Sequence, residues 1–445
     1  MRWFFGHHET RSDLNSVIIA RMDVARQNIS PPKLIASLRR YDLLPAIVFI
    51  PTRRGCDEAA SEISLDRSQP QEPEKQAERQ LMFDRYAEAS PEIRGHKHRK
   101  ILVHSGVAAH HAGHIPAWKL LVEKMMSAGL LNAIFATSTV AAGVDFPARA
   151  VVMSNADARG NNGWRPLTAS ELQQMTGRAG RRGRDNVGFV VLAPGQFQNL
   201  RKIAELLKAK PDPLESQFRA TYTSLLNLLD AFGNFAQVKD IASKSFAFRG
   251  TGTSPDLAER IWRPFERRAQ VLDHYGYLDF EGEKVTPSGK WLADLRVDRP
   301  LLIGEAFRRG MLDELKPSEI AGLVASIAAD ADRDFGAGRV SGSLAYALGN
   351  FEDVVYDISG VEWKHHIEPV EELNYSAAAA AERWAKEMSW DELTSRTKAE
   401  EGDLVRLLSR TGEALRQIAG LSAANSVAAA TAREAAEIVL REPIR

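Results

Sequence analysis

Short apolar runs alternate with amphipathic stretches through the first half of the chain. AIVFI (46–50), ILVH (101–104), NAIFAT (132–137), RAVVMS (149–154) and VGFVVL (187–192) lack the alternation of a half-exposed strand, and they predict strands buried on both faces. Between them, TRRGCDEAASEI, IPAWKLLVEKMMSAG and TASELQQMTGRAG place apolar residues at helical spacing. This order predicts a parallel sheet with helices on both faces, and ligands of such sheets gather at the carboxyl ends of the strands. Residues 66–99 are polar and predict a peripheral helix with loops.

After LAPGQ the alternation stops. DPLESQFRATYTSLLNLLDAFG reads as one long amphipathic helix closed by glycine. RRAQVLDHYGYLDFEGEKVTPSGKWLADL reads as a helix followed by two short strands, YLDF and EKVT, about an EG turn. Helices followed by a small hairpin suggest a winged-helix module. From about residue 300 onward the chain is helical in pattern, and its alanine-rich tail AANSVAAATAREAAEIVL favours helix strongly. Leucines and isoleucines at helical spacing suggest a bundle. The expected fold class is an α/β parallel-sheet domain followed by winged-helix and all-α helical bundle domains.

Composition narrows the chemistry. The 445 residues hold 58 basic and 58 acidic side chains, so any polyanion site must be local rather than a global field. One cysteine, Cys56, excludes an internal disulfide framework and a cysteine zinc cluster. The start MRWFFGHHET has no apolar core of a signal peptide, and no apolar run is long enough to cross a bilayer. A soluble cytoplasmic protein of two to four domains, with no membrane partner, is expected.

Against that neutral background, QQMTGRAGRRGRD (173–185) gathers Arg178, Arg181, Arg182 and Arg184 around three glycines, directly before an apolar strand. Guanidinium forks suit phosphate, and glycines let a backbone turn sharply or approach a ligand. Two upstream stretches point the same way. FATSTVAAGVDFPARAVV (135–152) sets Thr137, Ser138 and Thr139 at a strand's carboxyl end, where hydroxyls and amides can meet a phosphate, and Asp145 could accept from a ribose hydroxyl. IVFIPTRRG sets Thr52, Arg53 and Arg54 just after another strand.

In order and spacing these three stretches resemble motifs IV, V and VI of superfamily 2 helicases. VAAHHAGHIPAWKLLVEKMMSAGLLNAIFATSTVAAGVDFPA with QQMTGRAGRRGRD is most similar to the superkiller-type branch, the exosome-associated RNA helicases and their bacterial relatives. FRATYTSLLNLLDAFG and AKEMSWDELTSRTKAEEGDLVRLLSRTGEALRQI resemble that branch's helical C-terminal region. The resemblance implies four segments: 1–44 as a linker from an absent first RecA-like domain, 45–208 as the second RecA-like domain, 209–295 as a winged-helix region, and 296–445 as a helical domain with a ratchet helix. It also implies roles. Gln174 and Arg178 match motif VI residues at the ATP-side cleft, and Arg181 matches the arginine finger acting on the γ-phosphate. Gly143 and Asp145 match the motif V residues that couple the nucleotide and nucleic-acid sites. Thr52, Arg53 and Thr137 match positions near the RNA backbone. Arg406, with Arg410, matches ratchet-helix positions on the single strand, while a salt bridge from Arg406 to Glu401 or Asp403 is the structural alternative.

The phosphate loop G-x-x-x-x-G-K-[ST] and the acidic Mg box do not occur in this sequence. TPSGKW (286–291) lacks the upstream glycine and the hydroxyl after lysine, and CDEAA (56–60) imitates an acidic box only in letters, inside a predicted helix. ATP with Mg is the implied cofactor, its Mg ligands expected on a first RecA-like domain supplied in cis or in trans. Single-stranded RNA, or DNA, is the implied polymer. The expected function is the C-terminal part of an ATP-dependent RNA helicase, inactive as an ATPase alone; the alternatives are a DNA-unwinding repair-type helicase and a non-catalytic nucleic-acid-binding fragment. Six histidines (His96, His98, His104, His110, His111 and His114) crowd one stretch without a nearby acidic or cysteine ligand, and no metal site is expected. Trp164, in the polar loop GNNGWRP, is a candidate stacking platform, and Thr168 is expected to cap the helix of the arginine motif.

Overall fold

The computed structural model describes residues 28–141, 148–160, 163–181, 183, 185–195, 198–214, 216, 218–246, 255–330, 333–369 and 372–444. The chain divides into two compact units, residues 1–213 and 214–445.

The first unit is built on five parallel strands: β1 (Ala46–Phe49), β2 (Val107–His110), β3 (Ala133–Ala136), β4 (Ala150–Met153) and β7 (Phe189–Leu192). Their order across the sheet is β2-β3-β1-β4-β7, and β1 aligns Ala46 with Ala133 of β3 and Ala150 of β4. All residues of the four strands β1 to β4 are buried, as continuous apolar runs require. Helices α1 (Pro31–Arg40), α2 (Arg53–Leu65), α3 (Pro73–Ala89), α4 (Pro116–Ser127), α5 (Ala169–Thr176) and α6 (Leu200–Lys208) complete the unit. Leu34, Ile35 and Leu38 of α1, in the segment expected to be a linker, are buried in the same core as β1, β3 and β4. Between β4 and α5 an exposed antiparallel hairpin, β5 (Asp157–Gly160) and β6 (Gly163–Pro166), leaves the carboxyl end of β4.

One expected strand is misplaced. ILVH is not extended: Ile101–Ser105 forms a wide helical turn, ended by Gly106 at φ 62°, and the edge strand follows at Val107–His110. Leu102 and Val103 are buried there, so their apolarity records burial, not an extended backbone. The carbonyls of that turn are taken by a side chain from the stretch read as peripheral. Arg79 of α3, 1% exposed, donates to Val103 O (2.7 Å), His104 O (3.4 Å) and Leu130 O (3.0 Å). A Cβ on Gly106 would lie 2.6 Å from the Arg79 guanidinium, so glycine is needed for both its φ and its bareness.

The second unit opens with α7 (Tyr222–Phe232), α8 (Phe235–Ser243) and α9 (Pro255–His274). The long helix expected from residue 212 therefore starts only at Tyr222. Thr221 accepts from Ser224 N–H while Ser224 reaches back, a capping box that fixes the start. A short antiparallel pair follows, β8 (Leu278–Asp279) with β9 (Lys284–Val285), then α10 (Pro287–Ala293). The remainder is helical: α11 (Pro300–Arg308), α12 (Pro317–Ala328), α13 (Gly342–Lys364), α14 (Tyr375–Ala385), α15 (Trp390–Ser395), α16 (Glu401–Ala419) and α17 (Ser426–Val439). Buried alanines line α14 and α17, which suits helices packed at close range.

Replacing Arg79 by methionine keeps most of the apolar stem and strands three carbonyls. The expected loss is about 3 kcal/mol in the urea unfolding of the first unit, since each orphaned buried acceptor carries a desolvation penalty of ~1–3 kcal/mol.

Candidate functional site

The arginine motif begins as α5, capped by Thr168, whose hydroxyl accepts from Glu171 N–H while the Glu171 carboxylate accepts from Thr168 N–H. The helix stops at Gly177, and the following turn is pinned to the sheet. Ala148 N–H donates to Arg178 O (3.0 Å), and Gly180 N–H donates to Ala148 O (2.7 Å). Gly180 sits at φ 92°, and Gly188 approaches so closely that a Cβ on it would lie 2.3 Å from Ala179 O. Gly180 of the motif and Gly188, three residues beyond it, thus serve backbone-to-backbone packing, which leaves the guanidiniums as the chemical groups.

Arg181 is ordered by Asp185. Its Nε and Nη2 donate to Oδ2 (2.7 Å) and Oδ1 (2.9 Å), and its backbone N–H donates to Oδ2 (2.9 Å). The Asp185 side chain is 1% exposed against 23% for Arg181. Arg149 adds a further bond to Asp185 Oδ1 (3.1 Å) and turns its other nitrogen to Asp42 (3.1 Å). These donors, Arg181 first, hold the Asp185 carboxyl well below the usual carboxylate range against the opposing effect of burial. Among the described residues, the bonds of Arg181 to Asp185 use Nε, Nη2 and the backbone N–H and leave Nη1 out. Arg178 is half-buried and Gln174 is exposed on α5; Arg182 and Arg184 lie outside the described residues.

This turn enters β7 and bridges to the residues before β4, so it lies at the amino edge of the sheet. Thr52, Arg53 and Thr137 lie at the opposite edge, just past the carboxyl ends of the neighbouring strands β1 and β3. The structure therefore splits the sequence-predicted residues between both edges rather than gathering all at the carboxyl ends. Thr52 caps α2, its hydroxyl accepting from Gly55 N–H (3.1 Å). Thr137 is buried, and its hydroxyl meets that of Thr139 at 2.9 Å. Gly143 and Asp145 fall outside the described residues. Trp164, 58% exposed, faces Arg159 across the hairpin that rises from this carboxyl edge.

In the second unit, Arg406 and Arg410 stand one turn apart on α16 and share Asp330. Arg406 Nη2 donates to Oδ2 (3.0 Å) and Arg410 Nη1 to Oδ1 (3.3 Å), while Arg410 Nη2 also reaches Asp298 (2.5 Å). Asp403, one of the two residues (with Glu401) expected as the structural alternative for Arg406, pairs with Arg333.

Sequence reasoning missed the partner of the histidine cluster because that partner is distant in the chain. Asp57 of α2, from the acidic-box look-alike, accepts from His111 Nε2 on Oδ1 (3.0 Å), and His114 Nε2 and His98 Nε2 lie 3.3 Å and 3.4 Å from the same oxygen. Asp57, His111 and His114 place their ligand atoms within 4.8 Å of one another, a spacing a cation could span. The tautomers argue against one. Gly113 N–H donates to His111 Nδ1 (3.1 Å), and His98 N–H donates to His96 Nδ1 (3.2 Å). His96 Nε2 must then donate to His114 Nδ1 (3.1 Å), which leaves the His111 and His114 protons on Nε2, facing Asp57. A metal at Nε2 needs the proton on Nδ1 and an acceptor behind it, and here both Nδ1 atoms face donors. The cluster is a hydrogen-bonded clamp between α2 and the loop before α4, with His96 stacked on Trp118 at 3.6 Å. The phosphate-loop look-alike is explained as simply: Gly289 packs where a Cβ would lie 2.0 Å from Tyr277 O, and Lys290 pairs with Asp230.

Comparison with known proteins adds an independent finding. Residues 282–445 match the DSHCT (NUC185) domain. Over 253 residues the chain is 38% identical to the "DExH-box ATP-dependent RNA helicase DExH15 chloroplastic" of Arabidopsis thaliana, covering 57% of this chain and 20% of that protein. It is 38% identical over 217 residues to "Superkiller complex protein 2" of Homo sapiens, covering 48% of this chain and 17% of that protein. A "Probable helicase HelY" of Mycobacterium tuberculosis is 34% identical over 220 residues, covering 48% and 24%. The chain thus spans at most about a quarter of the length of these three relatives.

The clamp predicts an acid-sensitive first unit. Burial drives His96 down to about 2 and His114 to about 3, from 6.5. Depressed histidines contribute stability that is full above pH 6.5 and is lost as the pH falls toward those folded values. Asp57 is also depressed: burial opposes its charge, but the bonds from His111, His114 and Lys97 prevail, and its contribution is lost below pH 3.8. Melting of the first unit should therefore fall progressively from pH 6.5 downward. Asp57→Asn should lower it at neutral pH by about 1–3 kcal/mol and flatten the loss below pH 3.8.

Proposed function

The chain belongs to the superkiller-type branch of the superfamily 2 DExH helicases, of which it carries a C-terminal region, and on that premise we propose that it forms the second RecA-like motor domain, winged helix and ratchet-helix domain of an ATP-dependent RNA helicase. One observation carries this reading. The chain from Thr137 to Ala148 begins at the carboxyl edge, beside Thr52 and Arg53, and ends at the amino edge, bridged to the arginine turn at Ala179. A single connection thus joins the edge read as binding the polymer to the edge read as meeting the nucleotide. It includes Gly143 and Asp145, to which the family resemblance gives that coupling role.

In this reading ATP with Mg binds against a first RecA-like domain, which provides the Mg ligands. Arg181 meets the γ-phosphate through the nitrogen that Asp185 leaves open, and Arg178 and Gln174 line the same side. A guanidinium held in place beforehand loses little on reorganising when charge develops on the transferred phosphoryl group. At the other edge Thr52, Arg53 and Thr137 face the strand's phosphates, and Trp164 offers a surface for one base. Arg406 and Arg410 supply a second grip on the single strand. Closing and opening of the two motor domains around ATP then moves one grip relative to the other.

Two measurements check this. The purified chain should bind single-stranded RNA with salt-sensitive affinity, the slope of log K against log salt growing by ~0.7 per phosphate neutralised, and should turn over no ATP. Measurable turnover by the chain alone would refute the half-motor reading, and preferential stimulation of the complete enzyme by DNA would favour the DNA-unwinding alternative. In the complete enzyme, Arg181→Ala should reduce hydrolysis by about 10³-fold or more with RNA affinity within about twofold.

A further inference from the structure

Helix α13 (Gly342–Lys364) carries a pattern on each of two faces. Leu344, Leu348, Phe351, Val355 and Ile358 lie on the buried one. On the other, Tyr346, Gly349, Asp353, Tyr356, Gly360 and Trp363 are all exposed, and their alternating spacing of three and four residues is that of a helix-pairing seam. Tyr346 is 74% exposed, Tyr356 83% and Trp363 71%. The two glycines have no purpose inside the chain. A Cβ on Gly349 or Gly360 would meet no described atom within 4 Å, and glycine inside a helix lowers its stability relative to alanine. A second helix on this seam would use both features, seated against the rings and drawn close at the notches between them.

We propose that this seam is the interface of a two-fold dimer, in which α13 of one protomer packs antiparallel on α13 of a second copy. A two-fold axis at the level of Val354 and Val355 brings Tyr346 opposite the partner's Trp363, Gly349 opposite the partner's Gly360, and Asp353 opposite the partner's Tyr356. The order of residues makes the seam complementary to itself: ring meets ring, notch meets notch, and a carboxylate meets a phenolic hydroxyl that can donate to it. A parallel pair would instead set Asp353 against its own copy, carboxylate to carboxylate. Glu352 and Asp357 also face each other across the antiparallel pair, but both are engaged within the chain. Glu352 accepts from the Tyr375 hydroxyl (2.8 Å), and Asp357 pairs with Arg309 (2.6 Å). The same acids, with Asp353, repel the phosphates of a nucleic acid, so a strand is not the occupant. At ~150–250 Å² for a whole aromatic side chain, the three rings present roughly 350–550 Å² per protomer. About 700–1,100 Å² from both copies reaches the ~1,000 Å² of a specific interface, at its weak end.

Sedimentation of the full chain between about 1 and 100 µM should show its mass double, with a Kd on the order of 10 µM for so small an area. Gly349→Gln and Gly360→Gln each fill a notch with a good helix former. Each should weaken dimerisation about tenfold or more, while the dilute chain melts at an unchanged or higher temperature. Register is read by cysteine coupling under mild oxidation, the chain's own Cys56 being buried. Protein carrying Gly349→Cys should couple to protein carrying Gly360→Cys, and neither should couple to itself. A chain that stays monomeric throughout the range, or a dimer that both glutamine variants leave intact, overturns the interface. Self-coupling of either cysteine variant, or no coupling at all, overturns the antiparallel register. A monomeric chain whose binding of single-stranded RNA is weakened by the glutamine variants would assign the face to the polymer and overturn the dimer.

Discussion

Strands that all run one way leave a sheet with two chemically different edges, and every connection must cross from one to the other. That constraint organises the first unit. Segments leaving β1 and β3 deliver Thr52, Arg53 and Thr137 side by side, because β1 and β3 are neighbours in register. The segment entering β7 delivers Arg181 to the far edge, and the parallel bridge between Ala148 and Ala179 fastens it there. Two groups of anion-seeking residues are thus held apart by a sheet whose strands β1 to β4 are wholly buried, and Thr137 and Ala148 lie at its opposite edges. A sheet of mixed direction would bring such loops to either edge and lose this sorting.

Much of this is legible in the sequence because parallel strands are apolar throughout. Four of the five runs became strands where they were read. The fifth, ILVH, did not: an apolar run reports burial, and the choice between strand and helical turn was made by Gly106 and by Arg79, which lies 24 residues away from the carbonyl it satisfies. The same limit hid the partner of the histidines. Nothing near His111 or His114 in the sequence is acidic, and Asp57 reaches them only because α2 packs beside β2. The long helix expected from residue 212 shortened for a local reason, since a Thr-Ser pair at 221 and 224 caps a helix more decisively than apolar periodicity extends one. In the arginine turn, the glycines and the terminal aspartate were visible as letters. The roles of Gly188 as a contact and of Asp185 as the anchor of two arginines needed the fold.

A chain with equal numbers of acids and bases can still present concentrated cation if each arginine has a resident carboxylate until a ligand arrives. Both candidate anion sites follow this plan in different solvent environments. Asp185 is almost wholly enclosed, accepts from two guanidiniums and a backbone amide, and fixes Arg181 in place. Removing that carboxylate would leave charge without a partner, so its part in the site is permanent positioning. Asp330 is about half exposed and holds its two arginines without a backbone donor among its described bonds. Competing phosphate can displace such a carboxylate, because exposed ion pairs contribute little and are screened by salt.

The contrast bears on what each site can do. An enclosed anchor gives geometry at the expense of exchange, which suits a group that must meet a developing charge in one orientation. A solvated placeholder gives exchange at the expense of affinity. Swapping one singly charged anion for another between the same guanidiniums changes the local charge little, so the grip on any one phosphate stays modest. For a surface proposed to hold a strand and then let it slide, modest grip is the useful property: a site that bound each phosphate tightly would have to overcome that binding at every step.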